Sequence, residues 1–176
     1  LTEPLTVGFH AIARGRVTNT DTVAVLGCGI IGLGAIISAI DKGARVIAVD
    51  VDDKKLDLAK KIGAAGSINS IMEDIGEKLS SLTDGFGPDV IIEAAGQSET
   101  YLSAIESVAF TGRVVCIGYA KNNIAFATKL FVQKELDIMG SRNADLEDFK
   151  SVISYLGQRK LPTEQLISII ARPEEA

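Results

Sequence analysis

Three glycines and one aspartate are the residues of this sequence best placed to do chemistry. In Thr22-Val23-Ala24-Val25-Leu26-Gly27-Cys28-Gly29-Ile30-Ile31-Gly32 a short apolar strand runs into G-x-G-x-x-G and then into an apolar helix. In that context a glycine triplet reads as a nucleotide-binding fingerprint. Gly27 turns the chain, Gly29 lets the backbone approach a pyrophosphate, and Gly32 lets the helix pack tightly on its strand. The helix start then offers unpaired N–H groups to the anion. Arg45-Val46-Ile47-Ala48-Val49 reads as a second strand ending at Asp50. A carboxylate there accepts ribose hydroxyls and repels a 2′-phosphate, so NAD is expected over NADP. Lys54 and Lys55 soften that repulsion. Capping the next helix is an equally ordinary use of Asp50, Asp52 or Asp53.

Strand-like apolar runs alternate with amphipathic helical windows along the chain, the pattern of a parallel sheet covered by helices. The expected fold class is therefore α/β: a doubly wound parallel sheet, the Rossmann arrangement, of about six strands with helices on both faces. After the second strand, Leu56, Ala59 and Ile62 line a helix that Gly63 ends, and Ser67-Ile68-Asn69 is a third strand. Ile71, Ile75, Leu79 and Leu82 recur at helical spacing, then Asp84 to Pro88 breaks the chain before a fourth strand, Asp89 to Glu93. Ala94-Ala95-Gly96 follows with almost no side-chain bulk, which suits either close approach of a ligand at the strand end or plain tight packing. Ser98 caps a helix carrying Tyr101, Leu102, Ile105 and Val108, closed by Thr111-Gly112. Arg113 to Ile117, running to Gly118, is the fifth strand, and Glu135 to Gly140 the sixth. A last helix from about Asp145 buries Leu146, Phe149, Ile153 and Leu156.

The length of 176 residues suits one domain, and a net charge of −5 disfavours nucleic acid or an anionic membrane as partner. Cys28 and Cys116 lack metal-site spacing and read as reduced thiols, which points to a cytoplasmic location. No apolar run reaches the length of a membrane span. The helix after the glycine loop has apolar residues all round, Ile30, Ile31, Leu33, Ala35, Ile36, Ile37, Ala39 and Ile40. Such a helix needs cover beyond its sheet side, from a second domain, a partner subunit or the cofactor.

Glu3-Pro4-Leu5-Thr6-Val7-Gly8-Phe9-His10-Ala11, Leu26 to Gly32, Val49-Asp50 and Gly140-Ser141-Arg142-Asn143 together resemble the medium-chain dehydrogenase/reductase superfamily. Within it the chain is similar to zinc-containing polyol, sugar-acid and threonine dehydrogenases. The resemblance implies a cofactor domain (21–160) between a lead-in helix (1–20) and a return segment (161–176), with the catalytic domain and its zinc ligands absent. It implies hydride transfer between a secondary alcohol and NAD by the complete enzyme, and cofactor binding without turnover by this chain. Gly27, Gly29 and Gly32, with Ile30 and Ile31 between them, fall on the family's pyrophosphate loop, Ile31 packing near the cofactor. Asp50 falls on the ribose-binding acid and Lys55 on a basic position at the adenosine side. Ala95 and Gly96 match the strand end beside the adenosine ribose, and Ile117, Gly118 and Tyr119 the segment under the nicotinamide half. Ser141 and Arg142 match a loop that reaches the nicotinamide, although Arg142 also suits a surface ion pair. Glu3 matches an acid that lies at the zinc or its bound water in the complete enzyme, while His10 reads as a helical histidine facing solvent or core.

The family also implies a homo-oligomer, expected here through the sheet edge near Ile124 to Ala127 and Leu136 to Met139. Two other classes stay open on the fingerprint alone. An adenosylmethionine-dependent methyltransferase is disfavoured by Ala24, Val25 and Leu26 before the loop and by Ile31 within it. A non-enzymatic nucleotide-sensing domain is disfavoured by the Glu3 to Ala11 lead-in and the Ser141-Arg142 loop. The segment from Leu166 to Ala176 is expected to be loosely ordered or repurposed in packing.

Overall fold

The structure, a computed structural model, describes residues 2–158 together with 166, 167 and 172. Most of the return segment expected at 161–176, including the order expected of it, lies outside the described residues.

Six parallel strands form one sheet: β1 (Thr22–Leu26), β2 (Arg45–Asp50), β3 (Gly66–Asn69), β4 (Val90–Glu93), β5 (Arg113–Cys116) and β6 (Asp137–Gly140). Their order is β3-β2-β1-β4-β5-β6, so the direction of winding reverses between β1 and β4. That reversal opens a crevice beyond the carboxyl ends of the strands. Residues Val23 to Leu26 and Val90 to Ile92 are all fully buried. Strands covered on both faces read as continuous apolar runs instead of alternating ones.

Helices α1 (Thr2–Arg14), α2 (Ile30–Asp41) and α3 (Asp53–Ile62) cover one face, packing Ala11, Ile12, Ile36 and Leu56 on Val23, Val25, Val46 and Ile92. Helices α4 (Ile75–Leu82) and α5 (Ser98–Ser107) cover the other, setting Leu79 and Ala104 on Ala24, Ile47 and Ile91. A short α6 (Lys129–Lys134) precedes β6, and α7 (Leu146–Gly157) lies against α1 and α2 through Val152, Tyr155, Phe9, Leu5 and Ile37.

Much of the cover demanded by the all-apolar α2 comes from within the chain, from α1 and α7, while Ile30, Ile31 and Ile40 stay half-buried. The fit of α1 to α2 is backbone on backbone. A Cβ at Gly8 would lie 2.3 Å from the Ala35 nitrogen, and one at Gly34 2.7 Å from the Leu5 carbonyl oxygen.

Four local expectations are corrected. Ile71 stands outside α4, 71% exposed. Gln97, not Ser98, is the N-cap of α5, without a side-chain bond, and α5 ends at Ser107, well before Thr111. The sixth strand begins at Asp137, because Glu135 takes a left-handed conformation (φ 52°) that closes α6, an unforeseen helix. Helix α7 buries Asp148, Val152 and Tyr155 and leaves Leu146 and Ile153 exposed, a rotation from the expected face. His10 explains the rotation: its Nδ1 lies 2.7 Å from an Asp148 carboxylate oxygen, drawing that acidic residue towards α1.

Candidate dinucleotide cleft

At the end of β1, Gly27 takes a φ of +100°, open to glycine at little cost, and donates to the Val49 carbonyl (2.7 Å). A Cβ on Gly32 would lie 1.8 Å from the Gly27 oxygen, so α2 meets the turn only because that atom is missing. Gly29 is the N-cap of α2 and no side chain caps it. A Cβ at Gly29 would meet nothing within 4 Å and would project into open space. The exposed loop and the free N–H groups of the first α2 turn therefore form a cradle for an anion.

Asp50 closes β2 and is buried. One carboxylate oxygen accepts from the Cys28 N–H (2.6 Å) and the other from Val51 N–H (2.9 Å) and Asp52 N–H (3.0 Å). Lys55 Nζ stands 3.6 Å from it. The cap of α3 is Asp52, which accepts from the Lys54 N–H (2.9 Å). Asp50 is thereby spared for the glycine loop and whatever binds beside it. Burial and the neighbouring Asp50 charge push the Cys28 thiol up to about 12, so it stays protonated.

Two hollows flank this turn. One of about 350 Å³ is lined by Gly27, Gly29, Asp50, Lys55 and Ala95, together with Ser70, Gln97 and Thr100. The second, about 340 Å³, is lined by Ile31, Ala95, Ile117, Gly118, Tyr119, Ser141 and Arg142, together with Val7 and Asn143. Ala94 and Ala95 border both, so their small side chains form the wall between the hollows. Of the expected residues, Ile30, Gly32 and Gly96 line neither. Ile30 opens α2, while Gly32 and Gly96 act by close packing, a Cβ on Gly96 falling 2.9 Å from the Tyr119 carbonyl oxygen. A larger cavity, about 740 Å³ around Phe86, Phe110 and Lys134, gathers none of the fingerprint residues. Asp89, just before β4, lines it, which puts it at the amino ends of the strands, away from where open α/β sheets bind ligands.

Sequence reasoning missed Val7, Ser70, Gln97, Thr100, Asn143 and Glu93. Ser70 and Gln97 each follow a strand end by a short step, which is the signal that could have found them. Glu93 carried no such signal, since a carboxylate closing an apolar strand reads as the point where the strand meets solvent. It is instead fully buried.

The residues present fit a dinucleotide. Ser141 Oγ is buried at the second hollow without a hydrogen-bond partner among the described residues, an orphaned group that a polar ligand would satisfy. Arg142 is exposed and pairs with none of the described carboxylates. The residues do not fit a catalytic zinc. Burial holds the Cys116 thiol up at about 11, and Cys28 lies apart from it in the glycine loop. Among the described residues only His10, Asp145 and Asp148 gather titratable groups at metal-ligand range, within 4.8 Å. Asp145 Oδ1 is engaged in the α7 capping box, and Asp148 Oδ2 both in that box and by His10. Glu3 lies exposed in the first turn of α1, outside that cluster.

A glycine turn at a topological switch point, an acid closing the second strand and an uncapped helix start define a dinucleotide-binding α/β domain. The chain belongs to the zinc-binding dehydrogenase family, whose model matches residues 31–158. It is 33% identical to a sorbitol dehydrogenase of Halalkalibacterium halodurans over 96% of this chain and 50% of that one. It is 37% identical to a D-xylulose reductase of Scheffersomyces stipitis over 96% of this chain and 49% of that one. Galactitol-1-phosphate dehydrogenase from Escherichia coli superposes with a TM-score of 0.86 at 30% identity, covering 95% of this chain and 51% of that one. An Escherichia coli CFT073 alcohol dehydrogenase complexed with NADH gives 0.83 at 29% identity, covering 93% and 48%. The chain thus spans about half the length of the relatives it matches.

Proposed function

We propose that this chain is the NAD-binding part of a zinc-dependent dehydrogenase that transfers a hydride between a secondary alcohol, of the polyol or sugar-acid kind, and NAD. The observation that carries the reading is the joining of Gly29, Asp50 and Ala95 in one hollow and Ile31, Ala95 and Ser141 in its neighbour. Residues 21–160 would form the cofactor unit, with 1–20 leading in and 161–176 returning to the catalytic part.

A bound nicotinamide would supply the hydride acceptor, or in reverse the hydride donor, for the carbinol carbon of the alcohol. The chain's own residues bind and orient. The α2 start holds the diphosphate by N–H groups. Asp50 keeps spare lone pairs for the adenosine ribose hydroxyls, and Lys55 neutralises part of its charge. Ser141 Oγ and Arg142 hold the nicotinamide end, and Val7 and Ile31 supply an apolar wall that excludes water. Solved neighbours carry either NADH or NADP, so the preference rests on Asp50, whose charge opposes a 2′-phosphate. Zinc and Glu3 would meet only in the complete enzyme. The dimer would form through the β6 edge, where Asp137, Ile138 and Gly140 are exposed, and sedimentation showing monomer alone at high concentration would remove that part. The free thiols favour the cytoplasm, and none of the described helices is long and apolar enough to cross a membrane.

Calorimetric titration of the purified chain with NADH, NADPH and adenosylmethionine tests the reading. Saturable NADH binding, tighter than NADPH, is the expected result, with no oxidation of sorbitol or threonine when the chain is supplied with NAD+ instead. Binding of adenosylmethionine alone would overturn it.

A further inference from the structure

Glu93 is the last residue of β4, and its side chain is wholly enclosed. One carboxylate oxygen, Oε1, accepts from the Ala95 N–H (3.0 Å), the Gly96 N–H (2.8 Å) and the Thr100 hydroxyl (2.7 Å). The main-chain carbonyl of the same residue accepts from Ile117 N–H (2.8 Å) and Gly118 N–H (3.1 Å). Its other carboxylate oxygen, Oε2, has no hydrogen-bond partner among the described residues and faces Gly118, where a Cβ would come within 2.6 Å of it. A single residue therefore grips the loop after its own strand, the first turn of α5 and the loop after β5.

Those gripped segments are the ones that shape the cleft. Ala95 is part of the wall between the two hollows, Thr100 lines the first, and Ile117 and Gly118 line the second. From this geometry we infer that Glu93 is a positioning residue for the dinucleotide, holding the dividing wall and the floor beneath the nicotinamide half in one fixed relation. The inference rests on the cofactor reading above. An apolar residue of similar size would fill the space and keep the carbonyl bonds, but it would leave the Ala95 and Gly96 N–H groups without their acceptor. Thr100 would still reach the Gln97 carbonyl (2.9 Å), so the loss falls on the wall itself. A glutamine keeps the accepting oxygen and places its amide where Oε2 now stands.

The test compares the full chain with Glu93→Gln and Glu93→Leu by amide exchange in NMR and by calorimetric titration with NADH. In Glu93→Leu we expect Ala95 and Gly96 to exchange at least about tenfold faster while core amides such as Val25 and Ile47 keep their protection, and NADH to bind at least about tenfold more weakly. Glu93→Gln should stay within about threefold of the native chain on both readouts, a rescue that bulk filling would not give. Native exchange at Ala95 and Gly96 in Glu93→Leu would overturn the inference, as would native affinity. So would faster exchange spread evenly over the core amides, which marks a role in global stability alone. A native chain that fails to bind NADH defeats the cofactor reading instead, and the exchange arm, which needs no ligand, then decides alone whether Glu93 holds the wall.

Discussion

Two buried carboxylates close neighbouring parts of the sheet, Asp50 at the end of β2 and Glu93 at the end of β4, and they serve opposite purposes. Asp50 spreads three backbone donors over both oxygens and has a lysine at 3.6 Å, and it borders a hollow. Glu93 concentrates its donors on one oxygen, has no cation in contact among the described residues, and borders neither hollow. The first is an acid at the rim of the hollow proposed for the cofactor. The second is an acid used as a bracket, in surroundings that resist its charge: burial raises the Glu93 carboxyl above its ordinary value, against the lowering pull of Thr100 and the loop amides. The same residue chemistry at equivalent strand ends is thus divided by solvation.

The sharpest way to break this pairing is Gly118→Ala. Its Cβ would lie 2.3 Å from the Gly96 nitrogen and 2.6 Å from Glu93 Oε2, so both loops must move. A loss of about 3 kcal/mol in denaturant unfolding is expected, together with loss of NADH binding. Asp50→Ala comes next. Removing a charged acceptor should weaken NADH by roughly 10- to 100-fold and narrow the gap to NADPH, and a calorimeter that found NADH affinity intact would strip Asp50 of its role.

A pH series separates the two acids more finely. The folded form of Glu93 holds its proton above the ordinary value of 4.5. Its contribution to stability is therefore fullest below 4.5 and declines as pH rises through the raised folded value. The slope is at most about 1.4 kcal/mol per pH unit for one proton, and Glu93→Gln should lack it. Subtracting one protein's stability curve from the other's isolates the effect from carboxyls such as Asp145, which backbone donors shift the opposite way. Parallel curves would mean that Glu93 ionises alike in both states. The smallest change is Lys55→Ala: its ammonium is half-exposed, so stability should move by less than about 1 kcal/mol, and added salt should erase even that.

The place of Asp50 at the end of the second strand was legible in the sequence because it stands at a fixed distance from a glycine triplet, and the succession of six strands followed from the alternation of apolar runs. Glu93 was not, since one letter cannot say whether a strand end is wet or dry. Helix α7 shows the same limit. Apolar periodicity chose Leu146 and Ile153, but the capping box around Asp145 and the partner His10 on α1 turned Asp148 inward instead. Helix α6 escaped notice because none of its residues is buried, so it carries no periodic signature to read. Gln97 and Thr100 entered the first hollow through the geometry of the turn after β4, which side-chain type alone does not specify.

The contact between Gly8 and Gly34 has a mechanical meaning. Where side chains separate two helices, rotamer changes take up small displacements; here main chain rests on main chain, and there is nothing to yield. Helices α1 and α2 therefore behave as a single stiff strut. A displacement of α1 at Gly8 would press directly on the α2 main chain at Ile31, Gly34 and Ala35, just past the Gly29 loop.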